Sequence, residues 1–451
     1  MSFRHEALAA LIDTHFAPDV PRRWCVALSA GLDSTVLLHA MSKVVTDLEP
    51  CGEHRLRAIH IHHGLYSDAE AWTEAARAQA QGLGCDFQVL KVSVQKEPGQ
   101  SLEDCARRAR YQALMQAMDE GEVLLTGHHQ DDQLETVLLQ LMRGAGVAGL
   151  AAMPVIAAFG SGQHFRPLLD FPREALRHWA CERGVEWIEE PSNQDTSFDR
   201  NYLRHQVLPA LMQRWPAAAR GASRSARYCG EARGLLEQLA ADDYQRCSID
   251  GDLVVQELAA LDQPRVGNLV RYWVGRVGLP SPPAHVLDLL PEQVLNAKAQ
   301  ALPCLSWQGA EIRRYRGRLI VQPTQAPGPG GPLAWRVTEE LELPSGLGRL
   351  SLAEGAGPGL DLAALEGKAL EVRFRLGGEK LRLAGRQGSH GLRDLFQEGG
   401  VLPWMRDRVP LVYVGGKLAA VGQFWTDQAF ASKAGDEARV VVWKGAPRLV
   451  L

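Results

Sequence analysis

Between residues 22 and 143, short apolar runs alternate with amphipathic stretches, and this alternation constrains the fold more than any other feature of the chain. "WCVAL" (24–28), "LRAIHIHH" (56–63), "DFQVLKVSV" (86–94) and "EVLLTGHH" (122–129) predict strands. "STVLLHAMSKVV", "SDAEAWTEAARAQAQGLG", "SLEDCARRARYQALMQAM" and "DDQLETVLLQLMRG" carry helical periodicity. Strand–helix alternation at this spacing predicts an α/β domain, with a parallel sheet covered by helices on both faces. Such sheets bind ligands beyond the carboxyl ends of their strands. The polar clusters of this segment all follow strands, which predicts one shared site.

At 451 residues the chain is too long for one ordinary core. The pattern predicts a first domain over 1–215 and a helical middle domain over 216–322, closing with a hairpin at "AEIRRYRGRLIVQ". A linker at 323–332 follows, where "PTQAPGPGGP" packs four prolines and three glycines into ten residues. A small α+β domain over 333–451 completes the chain. Net charge is −4, so a nucleic-acid contact would need a local basic face. No 18-residue apolar run occurs and "MSFRHEALAALIDTHF" lacks a signal-peptide pattern. The expectation is a soluble cytoplasmic protein with no membrane partner. The sequence leaves the oligomeric state open, a homodimer among the alternatives. The eight cysteines are dispersed, the nearest pair being Cys229 and Cys247, so no C-x-x-C serves zinc or redox chemistry.

The stretch "SAGLDS", Ser29-Ala30-Gly31-Leu32-Asp33-Ser34, joins the first apolar run to the first long helix. A loop there offers free amides and the positive end of the helix dipole to an anion. Ser29 and Ser34 add hydroxyl groups, and Gly31 lets the backbone approach a phosphate closely. It lacks the lysine of G-x-x-x-x-G-K-[ST] and is not G-x-G-x-x-G. Asp33 falls where phosphates would lie, so its expected task is to hold Mg²⁺ against them, a plain helix cap being the alternative. The second cluster, "TGHHQDDQLET" (126–136), sets Asp132 and Glu135 on one helical face behind Gly127. His128 and His129 are adjacent rather than four apart, which argues against a zinc pair.

The Ser-x-Gly-x-Asp-Ser pattern resembles the loop of the PP-loop ATP pyrophosphatases, which adenylate a carbonyl oxygen. "HIHHGL" (60–65), "CARRARY" (105–111), "LMRG" (141–144), "RPLL" (166–169), "EEPSNQD" (189–195) and "RNYLRHQVLP" (200–209) accompany the two clusters in order. Together these eight motifs resemble the bacterial tRNA(Ile)-lysidine synthetase family, and "FQEGGVLPWMRDRVPLVYVGGKLAAV" (396–421) fits its longer form. The resemblance implies a Rossmann-like first domain, ATP as substrate, and ligation of free L-lysine to the wobble cytidine of a tRNA(Ile) with a CAU anticodon. It also implies that "HIHHGL", through His60, lines the adenine pocket. Strand alternation sets His60 and His62 on one face and His63 on the other, so not all three are expected to touch ATP. Arg107 or Arg110 is the expected α-phosphate cation. Asp132 and Glu135 are expected to orient lysine, one of them accepting its proton. Arg200 is expected to face the activated base, with Arg204 the alternative and pairing of Arg200 to Asp195 or Asp199 the bland one. Most members of the superfamily have Gly-Gly at positions 30–31, so Ala30 is tolerated if it keeps a negative φ.

Between residues 373 and 393 six basic residues, Arg373, Arg375, Lys380, Arg382, Arg386 and Arg393, stand against the single acid Glu379. Interleaved glycines and apolar residues make this an expected RNA-backbone face. A tRNA thiolase of the same superfamily would want a cysteine pair or cluster, which the spacing does not offer. A glutamine-dependent amidotransferase would need a second nucleophile domain. A non-enzymatic tRNA-binding protein would leave the carboxylates beside the phosphate loop unexplained.

Overall fold

The computed structural model describes residues 2–17, 20, 22–48, 55–64, 69–94, 102–189, 195–298, 301–326, 328, 330–355, 359–433 and 438–450. Residue 65 of "HIHHGL", residues 190–194 of "EEPSNQD" and linker residues 327 and 329 lie outside the described set. The chain divides into two compact units, Met1–Leu239 and Ala240–Leu451.

The first unit opens with α1 (His5–His15), β1 (Arg23–Ala27), α2 (Leu32–Leu48), β2 (Arg55–His62), α3 (Ala69–Gly82) and β3 (Asp86–Lys91). It continues through α4 (Leu102–Ala117), β4 (Val123–Leu125), α5 (Gln130–Met142), α6 (Val147–Leu150), β5 (Ile156–Phe159) and β6 (Gly162–Phe165). Helices α7 (Arg173–Glu182) and α8 (Asp199–Tyr202) follow, then a π-helical turn over Leu203–Val207, α9 (Leu208–Arg214) and the part of α10 (Ala218–Cys247) up to Leu239. The sheet order is β3-β2-β1-β4-β6-β5, parallel except for the edge strand β5. The expected α/β architecture is borne out, and β5–β6 extend it beyond the four strands read from the sequence.

Alternate residues of each strand enter different cores. Trp24, Val26, Val123 and Leu125 join Leu8 of α1, Leu37 of α2 and Leu176 of α7 on one face. Cys25, Ile59 and Leu124 join Leu114 of α4 on the other. A strand buried on both faces reads as a continuous apolar run, which is how "WCVAL" is written. β1 is flanked by β2 and β4, whose connections leave in opposite directions along the sheet. The loops after β1 and β4 therefore border the crevice at the topological switch point.

The first unit extends past the expected boundary at 215, because the start of α10 packs through Ala219 against Leu134 of α5 and Leu208 of α9. In the second unit a five-stranded antiparallel sheet is built from Ser248–Ile249, Asp252–Val254, Arg318–Pro323, Ala310–Tyr315 and Cys304–Trp307, in that spatial order. The expected hairpin supplies two of these strands. Helices Gln263–Arg276 and Ala284–Leu290 cover the sheet through Leu269, Trp273 and Leu287. The remainder is β-rich, with five-, four- and two-stranded sheets around Val372, Leu411, Val412 and Trp443. The proline- and glycine-rich stretch does not separate two bodies. Ile320 belongs to the same core as Trp443, Trp404 Nε1 donates to Gln322 Oε1 at 3.2 Å, and Arg448 grips the buried Asp252 carboxylate at 2.5 and 2.7 Å.

Candidate active site

The turn from β1 into α2 is locked by its own hydroxyl groups. The Ser29 amide donates to Ser34 Oγ at 3.1 Å, Ser34 Oγ donates to the Gly31 carbonyl at 3.1 Å, and the Gly31 amide donates to Ser29 Oγ at 3.3 Å. Helix α2 then starts with Thr35 N on Gly31 O at 3.0 Å. Ala30 and Leu32 are buried, and Leu32 borders the first of the clefts described below. The expectation of a negative φ at residue 30 is corrected, since Ala30 sits at φ 66° in the left-handed region. Its carbonyl is held there by the Ile188 amide at 2.9 Å, and a Cβ in this region costs about 1–2 kcal/mol.

The second loop, Thr126–His129, follows β4 and lies directly against the first. A Cβ added at Gly127 would come 2.7 Å from the Asp33 carbonyl carbon and 2.9 Å from the Ser34 nitrogen. Only a glycine lets these two backbones meet. His129 caps α5 reciprocally with Asp132: its amide donates to Asp132 Oδ2 at 3.0 Å, and the Asp132 amide lies 3.3 Å from His129 Nδ1. Nε2 of His129 stands 3.6 Å from Asp33 Oδ2 and 3.3 Å from Asp132 Oδ2. Burial works against a charge on this ring, but the surrounding Asp132, Asp33 and Asp131 outweigh it and hold the pKa up at about 9. The same histidine, opposing a large burial effect, holds the Asp132 carboxyl well below its usual range, with help from Arg200 and Arg204.

Asp132 and Glu135 share a face of α5 as expected, but they do not form an open pair. Glu135 is 1% exposed and its two oxygens accept from Arg200 Nε at 2.8 Å, Arg204 Nε at 2.8 Å and Arg204 Nη2 at 2.9 Å. Arg204 Nη2 also reaches Asp132 Oδ1 at 3.2 Å, and Arg200 Nη2 donates to Thr136 Oγ1 at 3.2 Å. To receive an amine, Glu135 would first have to release an arginine. Arg200 thus pairs with Glu135 and not with Asp195 or Asp199.

Two adjoining clefts open on these residues. The first, about 460 Å³, is lined by Ser29, Asp33, Arg110, His128, Asp132 and Arg204 among others. The second, about 310 Å³, is lined by His60, His63, Trp72, Arg107, Arg110 and Arg200 among others. Arg110 borders both clefts, whereas Arg107 borders only the second. All three histidines of "HIHHGL" line the second cleft, because β2 ends at His62 and strand alternation no longer governs His63. His60 Nδ1 is committed to the Leu28 carbonyl at 2.8 Å, which ties β2 to the first loop. Sequence reasoning gave Arg173 no role; its guanidinium Nε lies 3.7 Å from Asp33 Oδ1 and its amide donates to Asp131 Oδ2 at 2.8 Å. Nothing in its local sequence marks it out.

Within the second unit the basic segment is divided. Arg373 pairs with Glu371 and stacks over Tyr413, Arg375 pairs with Asp407, and Arg386 pairs with Glu398. Lys380, Arg382 and Arg393 are exposed and form no ion pair with a described residue.

A parallel sheet whose first turn presents amides and hydroxyl groups beside an aspartate is the architecture of a PP-loop ATP-binding protein. The PP-loop domain family matches residues 5–211, the TilS substrate binding domain matches 253–320, and the TilS substrate C-terminal domain matches 370–443. Curated tRNA(Ile)-lysidine synthases are similar over most of their length. That of Methylococcus capsulatus is 41% identical over 92% of this chain and 95% of its own, and that of Alkalilimnicola ehrlichii 42% over 91% and 92%. That of Escherichia coli O157:H7 is 40% identical over 94% of this chain and 96% of its own. The chain belongs to the tRNA(Ile)-lysidine synthase family. The resemblance carried by the eight motifs is borne out, and with it the reading as an ATP-using tRNA-modifying enzyme. Among the described residues, no helix is long and apolar enough to cross a membrane.

Two substitutions test the loop geometry. Ala30→Gly removes the left-handed strain and is expected to stabilise the first unit by up to about 1 kcal/mol after glycine's extra chain entropy, read as a higher unfolding midpoint. Gly127→Ala forces two backbones apart at a cost of about 1–3 kcal/mol and is expected to raise KM for ATP at least about tenfold, measured by pyrophosphate release.

Proposed function

We propose that this enzyme ligates L-lysine to C2 of the wobble cytidine of a tRNA(Ile) with a CAU anticodon. In the first step the cytidine O2 attacks the α-phosphorus of ATP and pyrophosphate leaves. In the second the lysine ε-amine attacks C2, a proton is lost and AMP leaves. The observation that carries this reading is the backbone contact of Gly127 with Asp33, which sets an anion-binding turn against a loop leading to carboxylates and arginines.

The amides at the start of α2, with the hydroxyl groups of Ser29 and Ser34, are suited to the ATP phosphates. Asp33 Oδ1 is buried and has no hydrogen-bond partner among the described residues. A hard oxygen free of hydrogen bonds there, with Arg173 Nε at 3.7 Å its charged neighbour, fits Mg²⁺, which takes one or two carboxylates and completes its shell from phosphate and water. Bound in that position, the ion would neutralise charge on the leaving pyrophosphate. Arg110, bordering both clefts, is the cation best placed for an α-phosphate passing from one to the other, with Arg107 behind it. The second cleft, with Trp72 and the histidines, offers an apolar, stacking-capable recess for a cytidine splayed out of a single-stranded loop.

The lysine ammonium must lose a proton before it attacks, since its ordinary pKa near 10.4 leaves little free amine at neutral pH. Asp132 reaches the first cleft and is the better placed carboxylate for that amine, while Glu135 holds Arg200 and Arg204. In the second unit Lys380, Arg382 and Arg393 are the cations available to the tRNA backbone. Arg373, Arg375 and Arg386 already have partners. The domain roles are read accordingly, with chemistry in the first unit and added tRNA contacts in the second.

Pyrophosphate release is expected to require tRNA, and AMP with lysidine to require lysine as well. Sulfide in place of lysine should give no product. Asp33→Ala is expected to reduce pyrophosphate release by at least about 100-fold with tRNA binding within a few-fold of the parent. Full turnover by that variant would remove the metal role. The combined variant Lys380→Ala, Arg382→Ala, Arg393→Ala is expected to weaken tRNA binding, and to flatten the dependence of log K on log salt by about 0.7–0.9 for each phosphate no longer neutralised. An unchanged slope in filter-binding titrations would exclude this face.

A further inference from the structure

Behind the cleft a chain of hydrogen bonds runs from Arg166 to His128, and donor–acceptor chemistry fixes its direction. Arg166 Nη2 lies 2.9 Å from His164 Nδ1. A guanidinium has no acceptor, so His164 Nδ1 must accept. His164 is buried, and burial with the cation of Arg166 holds its pKa down to about 2, so the ring is neutral and its proton sits on Nε2. That N–H faces Thr126 Oγ1 at 2.8 Å and donates to it. The threonine hydroxyl proton then has one acceptor among the described residues, His128 Nδ1 at 2.7 Å. His128 consequently carries its proton on Nε2. That atom has no protein partner among the described residues, and the ring borders both clefts. Thr126 is fixed in turn by its own amide, which donates to the Phe165 carbonyl at 3.3 Å, and Arg166 by Nη1 on the Pro154 carbonyl at 2.9 Å.

We propose that His128 is a neutral hydrogen-bond donor to the α-phosphoryl group as it passes between the clefts, and that Arg166, His164 and Thr126 are positioning residues that dictate its tautomer. This rests on the adenylyl-transfer reading above. A donor that stays uncharged can bind the charge developing on a phosphoryl oxygen without competing for the proton of the incoming amine. The opposite tautomer would turn a lone pair toward that oxygen and repel it.

The test has a spectroscopic arm and a kinetic arm. In long-range ¹H–¹⁵N spectra of the full chain without substrates, the His128 signal is identified by its loss in His128→Gln. It should show a protonated Nε2 and a bare Nδ1 at neutral pH. Thr126→Val should abolish that preference and Thr126→Ser should keep it. In single-turnover pyrophosphate release with tRNA, His128→Ala is expected to lose about 100- to 1,000-fold in rate, as for removal of one donor to a developing oxyanion. His128→Gln, which keeps an N–H at the same reach, should recover most of that loss. Thr126→Val should slow release about tenfold with KM for ATP unchanged. A proton on Nδ1, an imidazolium at neutral pH, or a His128→Ala enzyme of parental rate would overturn the proposal. If the parent enzyme releases no pyrophosphate with tRNA, the adenylyl-transfer reading fails. The spectra then still decide the tautomer.

Discussion

Close approach of two backbones, Gly127 against Asp33 and Ser34, fixes the relation between the two loops at the head of the sheet. The sheet alone could not do this. Adjacent parallel strands hold their loop origins about 4.8 Å apart but leave the loops free to splay. Without a side chain at 127 the second loop packs onto the first turn of α2, and the dipole end of that helix then faces the N-terminus of α5. Two positive helix ends would repel each other if left bare. Asp33, Asp131 and Asp132 lie between them, with His129 at their centre. Close packing and charge pattern are thus one requirement.

The same requirement explains why the acidic groups of α5 are so heavily committed. Burying Glu135 as an isolated charge would be prohibitive, and two arginines from α8 and the π-helical turn supply three hydrogen bonds to it. Arg200 and Arg204 are four residues apart, so one helical turn already sets both on the face toward Glu135. Each arginine is thereby presented at a defined spot on a cleft wall with its long side chain already ordered. Preorganised cations of this kind stabilise developing charge without reorganising when the charge appears.

Much of this was legible in the sequence because it is local or periodic. The β1–α2 turn reads directly, since Ser29, Gly31 and Ser34 satisfy one another within six residues, and Asp132 and Glu135 fall on one face by helical spacing alone. What could not be read is what the chain brings together from afar. Glu135 and Arg200 are 65 residues apart, and the nearer acids Asp195 and Asp199 were the obvious partners for Arg200. The φ of Ala30 depends on the Ile188 amide, more than 150 residues away. His164 enters the site on β6, a four-residue strand with no motif of its own. In the second unit, charge density along residues 373–393 was legible, but Glu371, Asp407 and Glu398 lie outside that segment and neutralise half of it.

His128 and His129 are neighbours in sequence and opposites in chemistry. The side chain of His129 turns into three carboxylates, and their attraction overcomes burial to hold its pKa at about 9. The side chain of His128 turns toward Arg166, Arg200 and Arg107, which add to a burial effect that only Asp132 opposes, and its pKa falls to about 3. The divergence follows from geometry: the His129 ring caps α5 beside Asp132, whereas the His128 ring is held through Nδ1 by Thr126 Oγ1. One loop therefore sets one imidazole among carboxylates and its neighbour among arginines. Environments that drive two like groups apart in this way are how a single site separates the holding of charge from the handling of protons.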